Sequence, residues 1–274
     1  TAPAAPTGPP TTPVPELVQV PQGAVEGTNA VAIGLAAVTD WSTQVPFLDL
    51  MKTARPWIGH KPGEWGGMER AELQSGGYLD VQGWPVRMPR SLSSIGTLIL
   101  TDMPEAATSL KGRYRLKFEG KGVIEVSGRA KNVRYGKGEV SFDYAPGPGS
   151  VDIRIQRINT THPPRNITVV HTDNLRRFDR GALFNPAWSA RIGQFRALRF
   201  MDWMETNNSD LSDWSARPTP SDVAYAKGVP LEVMISLANE WEKDAWFNIP
   251  HLADDAFVRA FAELVRDQLD PELV

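Results

Sequence analysis

The chain has 274 residues, of which 41% are hydrophobic and 22% are charged, and its formal net charge is -3 at pH 7. This balance is typical of a folded globular protein, and such a mild charge argues against an extended basic surface for nucleic acid. The absence of cysteine excludes disulfides, thiolate zinc sites and a cysteine nucleophile. No apolar run reaches the roughly 18 residues that a membrane span needs.

The first 22 residues are rich in Pro, Thr and Ala and are predicted to form a linker. Prolines favour an extended backbone, and the segment has few apolar side chains to bury. Linkers of this composition are common in secreted modular proteins that act on polysaccharides. The sequence therefore predicts a secreted or extracellular bacterial protein, with the periplasm as a further location. A cleaved or engineered leader is an equally good interpretation of the segment.

Residues 23–75 are predicted to form a first βα unit. The run at 30–38 is apolar throughout, which is typical of a strand buried on both faces of a parallel sheet. Pro46 then marks the start of a predicted helix, in which Phe47, Leu50, Met51 and Ala54 recur at helical spacing.

Residues 76–172 are predicted to form an inserted, jelly-roll-like β-sandwich. Apolar and charged side chains alternate there, as in the stretch from Arg113 to Phe118, and Gly and Pro residues supply the turns. Short strands with period-two alternation indicate antiparallel sheets.

Residues 173–274 are predicted to add further βα units. Short apolar runs at 197–201 and 245–249 are the candidate strands, and Pro230 and Asp254 mark the starts of two helices. Strands separated by helices pair in parallel through right-handed crossovers. The predicted fold class is therefore α/β plus all-β, a partial (β/α) barrel of the TIM type with the sandwich inserted. A closed barrel needs eight units, so the chain is expected to stop before the fourth strand of a longer enzyme or to be completed from elsewhere.

Polar and indole side chains follow each predicted parallel strand, where the loops of a barrel carry its chemistry. Carboxylates bind sugar hydroxyls or handle protons, and indole rings stack on the sugar. The residues predicted to bind substrate on this argument are Asp40, Trp41, Asp202, Trp203, Glu205, Asn248 and His251. Asp202 is also the candidate catalytic residue. Helix capping or loop anchoring is the competing interpretation for Asp40 and Asp202, as is a structural role for His251.

Other kinds of site find less support in the sequence. Asn239 and Glu240 form a pair known from barrel glycosidases, but they lie within a predicted amphipathic helix, from which Glu240 could not reach a glycosidic oxygen. The four histidines are scattered without metal-ligand spacing. No metal and no cofactor is predicted.

The segments at 34–47, 199–203 and 246–251 resemble secreted bacterial proteins described as cellulose-binding or glycoside-hydrolase-like, with barrels similar to the clan of the family 5 cellulases. In that clan an Arg near the second strand end and a His near the third bind sugar and assist the nucleophile, which the resemblance assigns to Arg199 and His251. Its acid/base and nucleophile Glu residues follow the fourth and seventh strands, beyond Val274. The resemblance implies the N-terminal portion of a retaining glycosidase that acts on a β-glucan or exopolysaccharide.

Two alternatives stay open. One is a non-catalytic carbohydrate-binding protein whose sandwich holds the glycan on exposed aromatic rings, for example Tyr78, Trp84 or Tyr144. The other is a structural protein of an exopolysaccharide matrix. For the glycosidase and for the carbohydrate-binding protein, the predicted partner is a polysaccharide or oligosaccharide. No nucleic acid and no membrane span is predicted, and the sequence leaves the oligomeric state open.

Overall fold

The computed structural model describes residues 29–207 and 209–274, so the predicted linker at 1–22 lies outside the described residues. The described part contains twelve strands in three sheets and five α-helices. The strands are β1 (Asn29–Gly34), β2 (Ile58–His60), β3 (Gly67–Met68), β4 (Ser94–Ile99), β5 (Gly112–Glu119), β6 (Gly122–Gly128), β7 (Lys131–Gly136), β8 (Glu139–Tyr144), β9 (Val151–Ile158), β10 (Arg165–His171), β11 (Phe195–Arg199) and β12 (Asp244–Trp246). The helices are α1 (Arg70–Ser75), α2 (Leu175–Phe178), α3 (Pro186–Ile192), α4 (Leu231–Trp241) and α5 (Asp255–Gln268).

Nine of the strands form two antiparallel sheets, which we call the two-sheet unit (residues 58–171). One sheet has the strand order β3-β2-β4-β9-β6 and the other has the order β10-β5-β8-β7. Period-two alternation turns one side of each sheet inward. Tyr114 on β5 faces Phe142 on β8 with ring centroids 5.6 Å apart. The two inner faces share one buried core, which includes Ile95, Leu116, Phe142, Ile153 and Ile155.

The three remaining strands form a parallel sheet in the order β1-β11-β12. One face of this sheet is buried by Leu35, Leu198 and Phe200, which pack in a second core with residues of α4 and α5. Pro230 precedes α4, and Asp254 caps α5 by accepting a 2.7 Å hydrogen bond from the Phe257 amide. Both helices begin where the sequence predicted, because their caps are local.

The partial barrel predicted from the sequence is wrong. Nine of the twelve described strands pair antiparallel, and the parallel pairing is limited to an open sheet of three short strands without a TIM-type arrangement. The prediction failed because an apolar run does not reveal whether both strand faces are covered. In β1, Ile33 and the following Leu35 face the core, whereas Val31, Ala32 and Gly34 are exposed.

The predicted first βα unit also differs from the structure. The helix expected after Pro46 is only a 3₁₀ turn over Leu50–Thr53, and β2 and β3 then join the antiparallel sheet. The antiparallel part therefore begins at Ile58, well before the predicted boundary at residue 76. Across the described ranges, no helix combines the length and the apolar character needed to cross a bilayer.

Candidate functional site

The carboxyl ends of the three parallel strands meet at one edge of their sheet. Gly34, Arg199 and Trp246 stand side by side in register. The Trp246 side chain is 52% exposed, and the Arg199 guanidinium lies 4.9 Å from the centroid of its ring. No heavy atom lies within 4 Å of the position that a Cβ on Gly34 would take. These three residues, which we call the strand-end rim, form an open surface with a flat ring and a cation.

Arg199 lacks a carboxylate partner among the described residues. Its Nη2 donates to the Met201 Sδ at 3.1 Å, and its Nε is buried without a hydrogen-bond partner. The Oδ1 of Asn248, two residues after Trp246, is also buried without a partner. Buried polar atoms normally have hydrogen-bond partners, so the described chain leaves unused a donor on Arg199, in the rim, and an acceptor on Asn248, which follows the rim in the sequence.

No known protein family, curated protein or solved structure matches this chain. The family resemblance stated from the sequence therefore stays a prediction, and the function has to be argued from the site itself.

Two carboxylates follow β11 in the same loop. Burial, followed by the negative charge of Asp202, raises the pKa of Glu205. Glu205 has a backbone φ of 49°, a left-handed conformation that is uncommon outside glycine. The loop is closed on itself, because Thr206 donates from both its amide and its hydroxyl to the Met201 carbonyl. Glu205 is thus held next to a second carboxylate in a form that retains its proton to higher pH than an ordinary glutamate.

A cleft of about 930 Å³ opens beside this loop. Arg70 of the two-sheet unit lines it together with Arg55 and Trp57, which come just before that unit in the chain, and Glu205 and Trp214 also line it. Its volume lies within the range of ligand pockets in proteins. Glu205 is the one predicted site residue that lines this cleft.

The structure separates the other predicted residues. Asp40 is only 2% exposed, and both of its carboxylate oxygens bind the Arg55 guanidinium, at 3.1 and 2.9 Å. It also accepts a hydrogen bond from the Thr101 hydroxyl. Trp203 is buried in the second core, where its Nε1 donates to the Ala36 carbonyl at 3.1 Å. Asp40 therefore joins the loop after β1 to the two-sheet unit, and Trp203 offers no free face to a ligand.

Trp41 and His251 lie at the surface. Trp41 is exposed, with the Arg55 guanidinium 5.5 Å from its ring centroid. His251 is exposed in the turn after β12. Neither residue is joined to the rim by a described contact. In the part of the chain that the structure covers, no three His, Asp or Glu side chains gather in a way that could hold a metal ion.

Sequence reasoning missed Trp246, Gly34 and Arg55. A signal for Trp246 was present, because its strand neighbours Ala245 and Phe247 pack toward the second core, and period two then turns Trp246 to the opposite face. No local pattern pointed to Arg55, whose partner Asp40 lies 15 residues earlier in the chain. Asn239 bonds to the Gln268 carbonyl and the Asp270 amide, and Glu240 is exposed on α4.

Proposed function

We propose that this chain binds a polysaccharide at the strand-end rim, with a sugar ring stacked on Trp246 and sugar oxygens hydrogen-bonded by Arg199. The observation that carries the proposal is the half-exposed indole of Trp246 beside an arginine without a carboxylate partner. An indole offers a large, rigid apolar surface at low entropic cost. A guanidinium presents several donors in a fixed fork.

An exposed tryptophan–arginine pair also occurs as a plain surface contact, worth about 0.5–1 kcal/mol. Two features favour a ligand here. The surface above Gly34 is empty, which leaves room for a ring beside the indole. Arg199 has no carboxylate partner among the described residues, so its guanidinium can donate to sugar oxygens. A sugar hydroxyl can serve as donor and acceptor at once.

Binding is tested by affinity electrophoresis and calorimetry with soluble β-glucans and bacterial exopolysaccharides. Trp246→Ala should weaken binding about tenfold or more, the loss typical of an aromatic anchor. Val258→Ala on α5, which also removes an exposed apolar side chain, should bind like the wild type. Arg199→Lys keeps the charge but loses the fork, so it should bind at an intermediate level. Unchanged binding by Trp246→Ala would refute the rim as the site.

Hydrolysis of a glycosidic bond is the second candidate function, favoured by the raised pKa of Glu205 beside Asp202. Two carboxyl groups whose environments separate their pKa values can divide acid and base roles. Glu205 would donate its proton to the glycosidic oxygen as the bond from that oxygen to the sugar breaks, and Asp202 would lie near the positive charge that develops on the sugar. A water molecule would then add to the anomeric carbon and return a proton to Glu205.

Release of reducing ends tests this second candidate. Glu205→Gln should lower the rate about 10²–10⁴-fold, as expected for loss of a general acid, and the wild-type rate should fall as pH rises through the elevated pKa of Glu205. Asp244→Asn, on the same sheet but in an ion pair with Arg196, is the matched control. Binding without any release of reducing ends would leave the protein a non-catalytic polysaccharide binder. Under either function, we propose a secreted or periplasmic location for the protein.

A further inference from the structure

We propose that the outer face of the five-stranded sheet is a separate binding site for a neutral pyranose ring of a polysaccharide, with Trp65 as its stacking platform. This site lies on different elements from the strand-end rim. It shares with the proposed function only the class of ligand, and it is tested separately.

The outer face of this sheet follows from the strand alternation. Ile95, Ile153 and Ile155 point into the core of the two-sheet unit, so Gly96 and Arg154 point outward. Gly96 on β4 pairs with Arg154 on β9, and Arg154 pairs with Glu125 on β6. Gly96 is buried beneath the His60 imidazole, so the part-exposed stretch of this row runs from Arg154 to Glu125, across one strand spacing of about 4.8 Å. Together with Trp65, this area accommodates one sugar ring of a polymer.

Trp65 stands over the β2 end of this row. It lies in the hairpin loop between β2 and β3 and is 58% exposed. One side of its ring faces His60, at 4.6 Å between centroids, and the Arg154 guanidinium lies 5.1 Å from the ring centroid. The indole is therefore supported from the protein side and remains open to solvent.

The loop that carries Trp65 is held in place by hydrogen bonds. The Gly66 amide donates to His60 Nδ1 at 3.0 Å, and the Lys61 amide donates to the Gly66 carbonyl at 3.0 Å. Gly66 has a φ of 78°, which glycine adopts without strain. A platform fixed before binding loses less entropy when a ligand orders on it.

The neutral His60 imidazole lies beneath the Trp65 indole. Its side chain is fully buried, and burial together with the charge of Arg154 lowers its pKa. Because Nδ1 accepts from Gly66, the neutral ring carries its proton on Nε2. A Cβ on Gly96 would lie 2.7 Å from this Nε2. Glycine at position 96 is thus what allows the imidazole to lie against the sheet.

The charges around Trp65 favour a neutral ligand. Arg154 Nε donates to Asp152 Oδ2 at 2.7 Å, which compensates the positive charge, and Glu125 accepts a 2.6 Å bond from Gln156. With Lys61 and Glu64 in the loop that carries Trp65, three carboxylates accompany two cationic side chains, so an acidic sugar would meet net repulsion. Hydroxyl groups can instead bond to the exposed Gln156 amide and to the free edges of Arg154 and Glu125.

The aromatic residues expected on the sandwich from sequence do not form such a platform. Trp84 and Tyr144 are buried in the core of the two-sheet unit, and the Arg87 guanidinium lies 5.1 Å from the ring centroid of the half-buried Tyr78. Trp65 lies before the predicted sandwich boundary at residue 76, outside the stretch in which exposed rings were expected.

The test is affinity electrophoresis of the full chain in gels containing hydroxyethyl cellulose, a neutral polymer, or polygalacturonate, an anionic one. Trp65→Ala should weaken binding to the neutral polymer about tenfold and leave migration with polygalacturonate unchanged. Tyr135→Ala, which removes an exposed ring from the other sheet, is the matched control and should bind like the wild type. Circular dichroism establishes that each variant is folded.

Two results would overturn this proposal: wild-type affinity of Trp65→Ala for the neutral polymer, or a loss confined to polygalacturonate. Trp246→Ala tests the strand-end rim in the same gels. Loss of binding in Trp246→Ala alone refutes the Trp65 site and leaves the proposed function standing. Loss in Trp65→Ala alone refutes the rim and leaves the Trp65 site standing. Additive losses in the double variant support both sites.

Discussion

Asp49 is a buried carboxylate whose ionisation opposes folding, which makes a testable prediction about stability. It is 7% exposed, and its Oδ1 accepts hydrogen bonds from the amides of Met51 at 3.0 Å and Val169 at 2.8 Å. Loss of hydration outweighs these bonds and the nearby charge of Lys52, and it raises the pKa of Asp49 to about 6 from its ordinary 3.8.

The magnitude follows from linkage between protonation and folding. Well below pH 3.8 the carboxyl is protonated in both folded and unfolded chains, so ionisation costs nothing. Above pH 6 it is ionised in both, and the folded chain is destabilised by about 3 kcal/mol, the shift from 3.8 to about 6 multiplied by about 1.4 kcal/mol per unit. The contribution of Asp49 to stability is therefore lost as pH rises from 4 to 6.

Asp49→Asn keeps an oxygen acceptor for both amides and removes the ionisation. We expect this variant to match the wild type near pH 4 and to exceed its free energy of unfolding by up to about 3 kcal/mol at pH 7. Asp49→Ala is the control, because it leaves the Met51 and Val169 amides without their acceptor and should be less stable at both pH values by about 1–3 kcal/mol. Urea denaturation at pH 4, 5.5 and 7 measures these differences. A stability difference between Asp49→Asn and wild type that does not grow with pH would refute the reasoning.

Three further variants test the packing. Asp40→Ala breaks the pair with Arg55, whose side chain is 38% exposed. Urea denaturation should show that the free energy of unfolding falls by about 2 kcal/mol, while polysaccharide binding persists. Lost binding with unchanged stability would show that Asp40 belongs to the binding site. Phe200→Ala should cost about 3–5 kcal/mol in the same assay, and a cost below 1 would contradict its place in the core. Asp254→Ala should cost about 1 kcal/mol through the lost helix cap, whereas Asp255→Ala should not.

Local signals predicted the parts of the fold that depend on local contacts. Asp254 and Pro230 mark the starts of α5 and α4 because a cap bonds or restrains residues within one turn. The alternation from Arg113 to Phe118 indicated β5 because strand faces differ at every second residue.

The remaining features depend on contacts between distant parts of the chain. The apolar run that includes β1 could not show that only one of its faces is covered, since the second core against which it packs is built from distant parts of the chain, α4 and α5 among them. Trp203 and Trp246 both lie within two residues of polar side chains in the sequence, yet one is buried and the other is half exposed. Asp40 was predicted to bind sugar because its partner Arg55 was invisible to a local pattern.

Sugar binding at the strand-end rim is tested most directly by a crystal structure of the chain soaked with an oligosaccharide of the polymer that it binds best. We expect a pyranose ring stacked on Trp246, with hydroxyl oxygens within about 3 Å of the Arg199 guanidinium. A sugar bound elsewhere, with Trp246 bare and Arg199 Nε still without a partner, would contradict the claim.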